Sequence, residues 1–144
     1  MPSRLISSIV KNQKPVTVSP DTTVTEAAQQ MHAARVGALL VVSKNTLVGI
    51  FTERDALFRV LAAGRDPQRT LIADVMTAEP QTISADRPLG HALYMMHEGG
   101  YRHVPVIANG QAIGMVSARD ALGPELAEFQ GRMEDLEHLS EVIG

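Results

Sequence analysis

The sequence predicts an α/β (α+β) fold: two β-α-β-β-α repeats packed as a pseudo-two-fold pair, followed by an amphipathic C-terminal helix. Three observations predict it. Shifting the 144-residue chain along itself by 65 positions lays residues 10–57 on 75–122 without a gap, with identities that include Val10/Val75, Pro15/Pro80, Thr17/Thr82, Ala27/Ala92, Met31/Met96, Val41/Val106 and Gly49/Gly114. The match closes on a shared run, Arg54-Asp55-Ala56-Leu57 against Arg119-Asp120-Ala121-Leu122. Within each copy a short β-prone stretch, a helical stretch and two apolar runs joined by turn residues follow in the same order.

In the first copy, Val16 to Val18 reads as a brief strand. Thr23-Val24-Thr25-Glu26 is a capping box that opens a helix with apolar Val24, Ala27, Ala28 and Met31, ending near Gly37. Ala38 to Val42 and Leu47 to Phe51 are apolar runs too short for helices, and Ser43-Lys44-Asn45 between them makes a hairpin. A closing helix is expected from Glu53 to Ala63. The second copy repeats this plan: Gln81 to Ile83, a helix from Leu89 to His97, His103 to Ile107, the turn Asn109-Gly110, Ala112 to Val116, and a helix from Ala118. Gly64-Arg65-Asp66-Pro67 separates the copies, and Leu71 to Met76 reads as a short helical lead-in. The expected units are residues 1–69, 70–123 and an acidic helix over 124–144, whose stripe is Leu126, Phe129, Met133, Leu136 and Leu139. One repeat alone would be marginal, so the two are expected to share a core and leave clefts between them.

Composition narrows the function. A net charge of -3 and only three Phe, two Tyr and no Trp argue against nucleic-acid binding, which draws on basic charge and stacking aromatics. No Cys means no disulfide, thiolate metal site or thiol nucleophile, and fits a reducing compartment, so a cytoplasmic location is expected. No apolar run approaches the roughly 20 residues of a membrane span, and the N-terminus lacks the apolar stretch of a signal peptide. A soluble, unprocessed chain without membrane or nucleic-acid partners is expected.

The chemistry concentrates at the strand-to-helix junction that closes each copy, Gly49-Ile50-Phe51-Thr52-Glu53-Arg54-Asp55 and Gly114-Met115-Val116-Ser117-Ala118-Arg119-Asp120. A hydroxyl at a helix start can face a phosphate, and a carboxylate one turn on can accept from two ribose hydroxyls. Thr52 with Asp55, and Ser117 with Asp120, equally fit a plain capping box. A cap, however, requires neither the Gly three residues earlier nor the Arg before the acid, and both recur.

This duplication, both junctions and Tyr101-Arg102-His103-Val104-Pro105-Val106 together resemble a tandem pair of CBS domains, the cystathionine β-synthase-type regulatory module, over residues 10–122. The resemblance implies an adenosyl ligand (AMP, ADP, ATP, NAD or S-adenosylmethionine) in clefts between the repeats, no other cofactor, and a homodimer. It implies Asp55 and Asp120 as ribose-binding acids, Thr52 and Ser117 as phosphate-facing hydroxyls, and Arg54 and Arg119 as added positive charge. Thr17, Val18, Thr82 and Ile83 would border the base, and Ala38, Leu39, His103, Val104 and Pro105 would wall the cleft. Arg102 and His103 stand where the first copy has Gly37 and Ala38, so unequal sites are expected.

No metal site is expected: His91, His97 and His103 are spaced by six, which on a helix turns successive side chains about 240° apart. Nor does a nucleophile sit beside a base, a GxSxG elbow or a Walker loop, so no catalysis is expected. The expectation is a non-catalytic sensor that passes its ligand state to a regulated partner or an oligomer, the alternative being a ligand-free dimerisation scaffold.

Overall fold

Two small sheets, each flanked by helices, carry the chain in a computed structural model that describes residues 4–121, 127 and 129–136. The elements run α1 (Ile6–Val10), β1 (Thr17–Val18), α2 (Val24–Ala34), β2 (Ala38–Ser43), β3 (Thr46–Thr52), α3 (Glu53–Asp55), α4 (Ile72–Val75), β4 (Thr77–Ala78), β5 (Ile83–Ser84), α5 (Leu89–Gly99), β6 (His103–Ala108) and β7 (Gln111–Ser117). The sheet orders are β1-β2-β3-β4 and β5-β6-β7. In both, a short first strand pairs in parallel with the next (β1 with β2, β5 with β6), which forms an antiparallel hairpin with its successor (β3 or β7), and β4 adds antiparallel to β3.

The duplication extends to backbone detail. Thr23 opens α2 with the predicted reciprocal capping box to Glu26. Both hairpins turn on two residues of positive φ, Lys44-Asn45 in the first and Asn109-Gly110 in the second, as the twist of the paired strands requires. Each hairpin then shifts register at equivalent positions, between Val41 and Val42 and between Val106 and Ile107.

Strand alternation sorts the β2 side chains between two cores. Leu39 and Val41 pack with Val18, Val24, Ala27, Met31 and Phe51, whereas Ala38, Leu40 and Ile50 form a layer that meets Ala112 and Met115 of the second repeat. That layer joins the two copies. The lead-in segments cross over as well: Ile6 and Val10 of α1 are buried with Leu89, Val104 and Val116, and Ile72 and Val75 of α4 with Leu39 and Phe51. Each such side chain contributes about 1.5–3 kcal/mol on burial, so the repeats are bound together by more than their shared face.

These crossings explain the junction glycines. A Cβ on Gly49 would collide with the Met76 side chain and lie 3.1 Å from the Thr77 carbonyl, and one on Gly114 would lie 2.8 Å from Val10 Cβ. Glycine recurs three residues before the hydroxyl because the other repeat's lead-in passes there. On the first sheet the lead-in pairs as strand β4, Ile50 opposite Thr77. On the second, the Gln13 side-chain amide imitates a strand: Met115 N–H donates to its Oε1 at 2.9 Å, and its Nε2 donates to the Met115 carbonyl at 3.0 Å.

Four elements depart from expectation. The helix after Asp55 is π-helical over Ala56–Leu61. The helix expected from Ala118 is a single 3-10 turn, Ala118–Asp120, because Ala121 turns extended at ψ 127°. Strand β4 was not anticipated, its two residues being too short to show a pattern, and β5 begins at Ile83, leaving Thr82 outside it. Residues 129–136 of the acidic tail are helical. Phe129 packs against the second core with its ring 6.0 Å from that of His97, while Leu136 stays exposed; Leu126 and Leu139 lie outside the described residues.

Candidate functional site

At the first junction the side chains close a compact network. The Asp55 amide donates to Thr52 Oγ1 at 3.2 Å, and the Thr52 amide donates back to Asp55 Oδ2 at 3.0 Å. The carboxylate also accepts from the Thr52 hydroxyl at 3.2 Å and the Thr77 hydroxyl at 3.3 Å, and Arg59 Nε stands 3.6 Å from Oδ1. Asp55 is only 7% exposed, so these partners offset the desolvation of its charge. The second junction repeats the inner half: the Ser117 amide donates to Asp120 Oδ2 at 2.7 Å and its hydroxyl at 3.4 Å. Both expected caps are therefore present. They also occupy amides that a bare helix start would offer a phosphate, and the next amide is spoken for in each copy, Glu53 donating to the Gly37 carbonyl and Ala118 to that of Arg102.

Beside Asp55 a cleft of about 590 Å³ opens between the repeats, within the range of ordinary ligand sites. The first repeat contributes Ile50, Thr52, Glu53, Arg54, Asp55 and Phe58; Thr77, Gln81, Tyr101, Arg102 and His103 face them from beyond the linker. The walls are mainly apolar, with charge gathered at Glu53, Arg54, Asp55 and Arg102. Arg54 spans the gap, its Nη1 donating to the Gly100 carbonyl at 3.1 Å and its guanidinium lying 5.9 Å from the Phe58 ring centroid. Tyr101 reaches Gln81, its hydroxyl donating to Oε1.

Burial pushes the His103 pKa below 6.5, and Arg119 and Arg102 push it the same way, while Glu53 and Asp120 oppose them. His103 therefore senses charges of both junctions. The Tyr101 pKa is raised by burial. Both groups are neutral at pH 7, and a phosphate beside His103 would favour its protonation.

Of the residues singled out from sequence, Thr52, Arg54, Asp55, Arg102 and His103 meet in this cleft. Ser117, Arg119 and Asp120 form the second junction. Val18 and Leu39 are buried in the first core and Ile83 and Val104 in the second; Ala38 lies in the layer joining the repeats, and Pro105 is fully buried. Thr17, at the start of β1, and Thr82, just before β5, are exposed. Sequence reasoning passed over Glu53, Thr77, Gln81 and Tyr101. Thr77 directly follows the lead-in, whose crossing to the other repeat no local pattern shows, and Gln81, expected to open a strand, lies before β5 instead. Glu53 and Tyr101 stood inside the quoted motifs, and their signal was divergence between the copies, Glu53 against Ala118 and Tyr101 against Val36. Among the described residues no three His, Asp or Glu side chains gather as for a metal, and no helix is long and apolar enough to cross a membrane.

The CBS domain profile matches the chain twice, over residues 6–62 and 72–123. Among curated proteins, the CBS domain-containing protein CBSCBSPB2 of Arabidopsis thaliana is 34% identical over 122 residues, 84% of this chain and 23% of the relative, so the chain spans about a quarter of that relative's length. Among solved structures, the CBS domain protein PAE2072 of Pyrobaculum aerophilum, complexed with AMP, superposes with a TM-score of 0.76 at 25% identity, covering 87% of this chain and 98% of that one. The CBS domain pair of protein MJ0100, in complex with 5′-methylthioadenosine and S-adenosyl-L-methionine, gives 0.73 at 25% identity, covering 92% and 99%. Duplication, paired sheets, crossed lead-ins and matched profiles agree: the chain belongs to the CBS domain family, as a tandem pair.

Proposed function

We propose that this CBS pair is a non-catalytic regulatory module that binds an adenosyl ligand, AMP or a close relative, in the cleft beside Asp55. The observation that carries the reading is the convergence on one mainly apolar cleft of an acid from the first repeat, Asp55, with two basic groups from the second, Arg102 and His103. An adenine ring suits the Ile50, Phe58 and Tyr101 walls. Ribose hydroxyls would reach the Asp55 carboxylate by taking over its contacts with the Thr52 and Thr77 hydroxyls, and Arg102 with His103 suits the 5′ phosphate. Because the cleft is built from both repeats, ligand favours one relation between them by its difference in affinity for the two arrangements. The AMP, 5′-methylthioadenosine and S-adenosyl-L-methionine held by PAE2072 and MJ0100 support the ligand class.

The module passes this state to a second copy or to a separate regulated protein in the cytoplasm. Exposed Leu57, Phe58 and Leu61, beside the cleft, support a homodimer. A second reading, a ligand-free scaffold, is favoured by the two capping arrangements, which account for Thr52, Asp55, Ser117 and Asp120 with no ligand at all. Thermal unfolding with AMP, ADP, ATP, NAD and S-adenosylmethionine separates them, since ligand at 100 times its Kd stabilises by ~2.7 kcal/mol. A shift with any of these that disappears in Arg102→Ala, at an exposed position, supports the sensor. No shift with any of them supports the scaffold.

A further inference from the structure

Charge in the cleft is nearly balanced, and one residue makes it so. Arg54 and Arg102 face Asp55 and Glu53 there, with His103 kept neutral chiefly by burial. Arg54 is already committed to the Gly100 carbonyl and the Phe58 ring. Asp55 is accounted for by its cap, Thr77 and Arg59. Glu53 has no such local role: it is exposed, and only its amide takes part in the junction, on the Gly37 carbonyl.

Its placement depends on Gly37. The Glu53 carboxylate lies against that glycine, 2.9 Å from where a Cβ would stand, so any side chain there would displace it. The second repeat inverts the pair, with Ala118 in place of Glu53 and Arg102 in place of Gly37. An acid therefore stands at the start of β2 next to the basic groups at the start of β6, and its charge acts on His103. Any phosphate that reaches Arg102 and His103 must also approach this carboxylate.

Resting on the reading of the cleft as an adenosyl site, we propose that Glu53 is a specificity-determining residue that limits the 5′ substituent to at most one phosphate and rejects nucleoside triphosphates. With Asp55 paired to Arg59, the lining leaves Arg54 and Arg102 against Glu53, so a triphosphate carrying about four negative charges meets at most one net positive charge and one carboxylate at close range. A monophosphate is served by Arg102 together with proton uptake on His103, and a neutral thioether needs neither. Discrimination then comes from a built-in repulsion rather than from a stronger attraction.

Calorimetric titration of the full chain and of Glu53→Gln with AMP, ATP and 5′-methylthioadenosine tests this. The parent should bind ATP at least about tenfold more weakly than AMP, Glu53→Gln should close most of that gap, and 5′-methylthioadenosine should change by less than about twofold, because charge repulsion alone is removed. ATP binding as tightly as AMP in the parent, or an unchanged ratio in Glu53→Gln, overturns the proposal while leaving the adenosyl site standing. Failure of all three ligands to bind the parent overturns both. Since Glu53 is exposed, the variant retains the fold, which an unchanged unfolding midpoint without ligand verifies.

Discussion

The two strand-to-helix junctions share a motif, but their surroundings have diverged. Around Asp55 the facing wall is Gln81, Tyr101, Arg102 and His103; the repeat-equivalent residues in the first copy are Val16, Val36, Gly37 and Ala38. The carboxylate differs too, Asp55 being buried among Thr77 and Arg59 while Asp120 is half-buried. Duplication thus preserved the backbone device, a capped helix start reached over a glycine, and left the wall opposite it free to change. The lesson is that a shared motif locates a site, and the residues that differ around it assign its chemistry.

Removing each acid in turn should break this comparison most visibly. Asp55→Ala strands the half-buried Thr52 amide and Thr77 hydroxyl together, so a loss of ~2–3 kcal/mol is expected. Asp120→Ala should lose only a cap, ~0.5–2 kcal/mol. Urea unfolding of both variants measures the difference, and equal losses would deny the asymmetry. Next come the glycines: Gly114→Ala pushes a methyl at Val10 Cβ, a branched side chain fixed in the core, and should cost ~1–3 kcal/mol. Gly49→Ala meets the flexible end of Met76 first and should cost less. Gln13→Ala removes the two hydrogen bonds that replace a strand on the second sheet, a loss of ~1–2 kcal/mol with no counterpart on the first.

The smallest effect is that of pH. His103 has a folded pKa below its unfolded value of about 6.5. The unfolded chain therefore takes up this proton first, so the contribution of His103 is fully present above pH 6.5 and is lost as pH falls through the lower, folded pKa. Unfolding midpoints measured from pH 7.5 down to 5.5 should decline less in His103→Ala than in the parent, and identical slopes would remove His103 from this role. AMP affinity should move the opposite way, rising as pH falls, because phosphate favours the protonated ring.

Much of this was legible in the residues themselves. The offset duplication, the Thr23 cap, the Asn109-Gly110 turn and the apolar run of Ala38 to Val42 could be read from the sequence, and each appears in the fold, whereas the sorting of that run between two cores could not. What escaped is non-local. Nothing near Ile6 says that it packs with Leu89 and Val104, and nothing near Thr77 says that it touches Asp55. The site divided the same way: Thr52, Arg54, Asp55, Arg102 and His103 could be picked from motifs, whereas Thr77 enters only through the crossing of the lead-in. The helix expected beyond Ala118 was extrapolated from the first copy, where apolar Val60 has a core to fill.

A crystal structure of the chain grown with AMP tests the central claim most directly. The account predicts the nucleotide in the cleft beside Asp55, ribose hydroxyls on its carboxylate, the base against Ile50, Phe58 and Tyr101, and the phosphate at Arg102 and His103. AMP seated only at the Asp120 junction, or absent from both at saturating concentration, would contradict it.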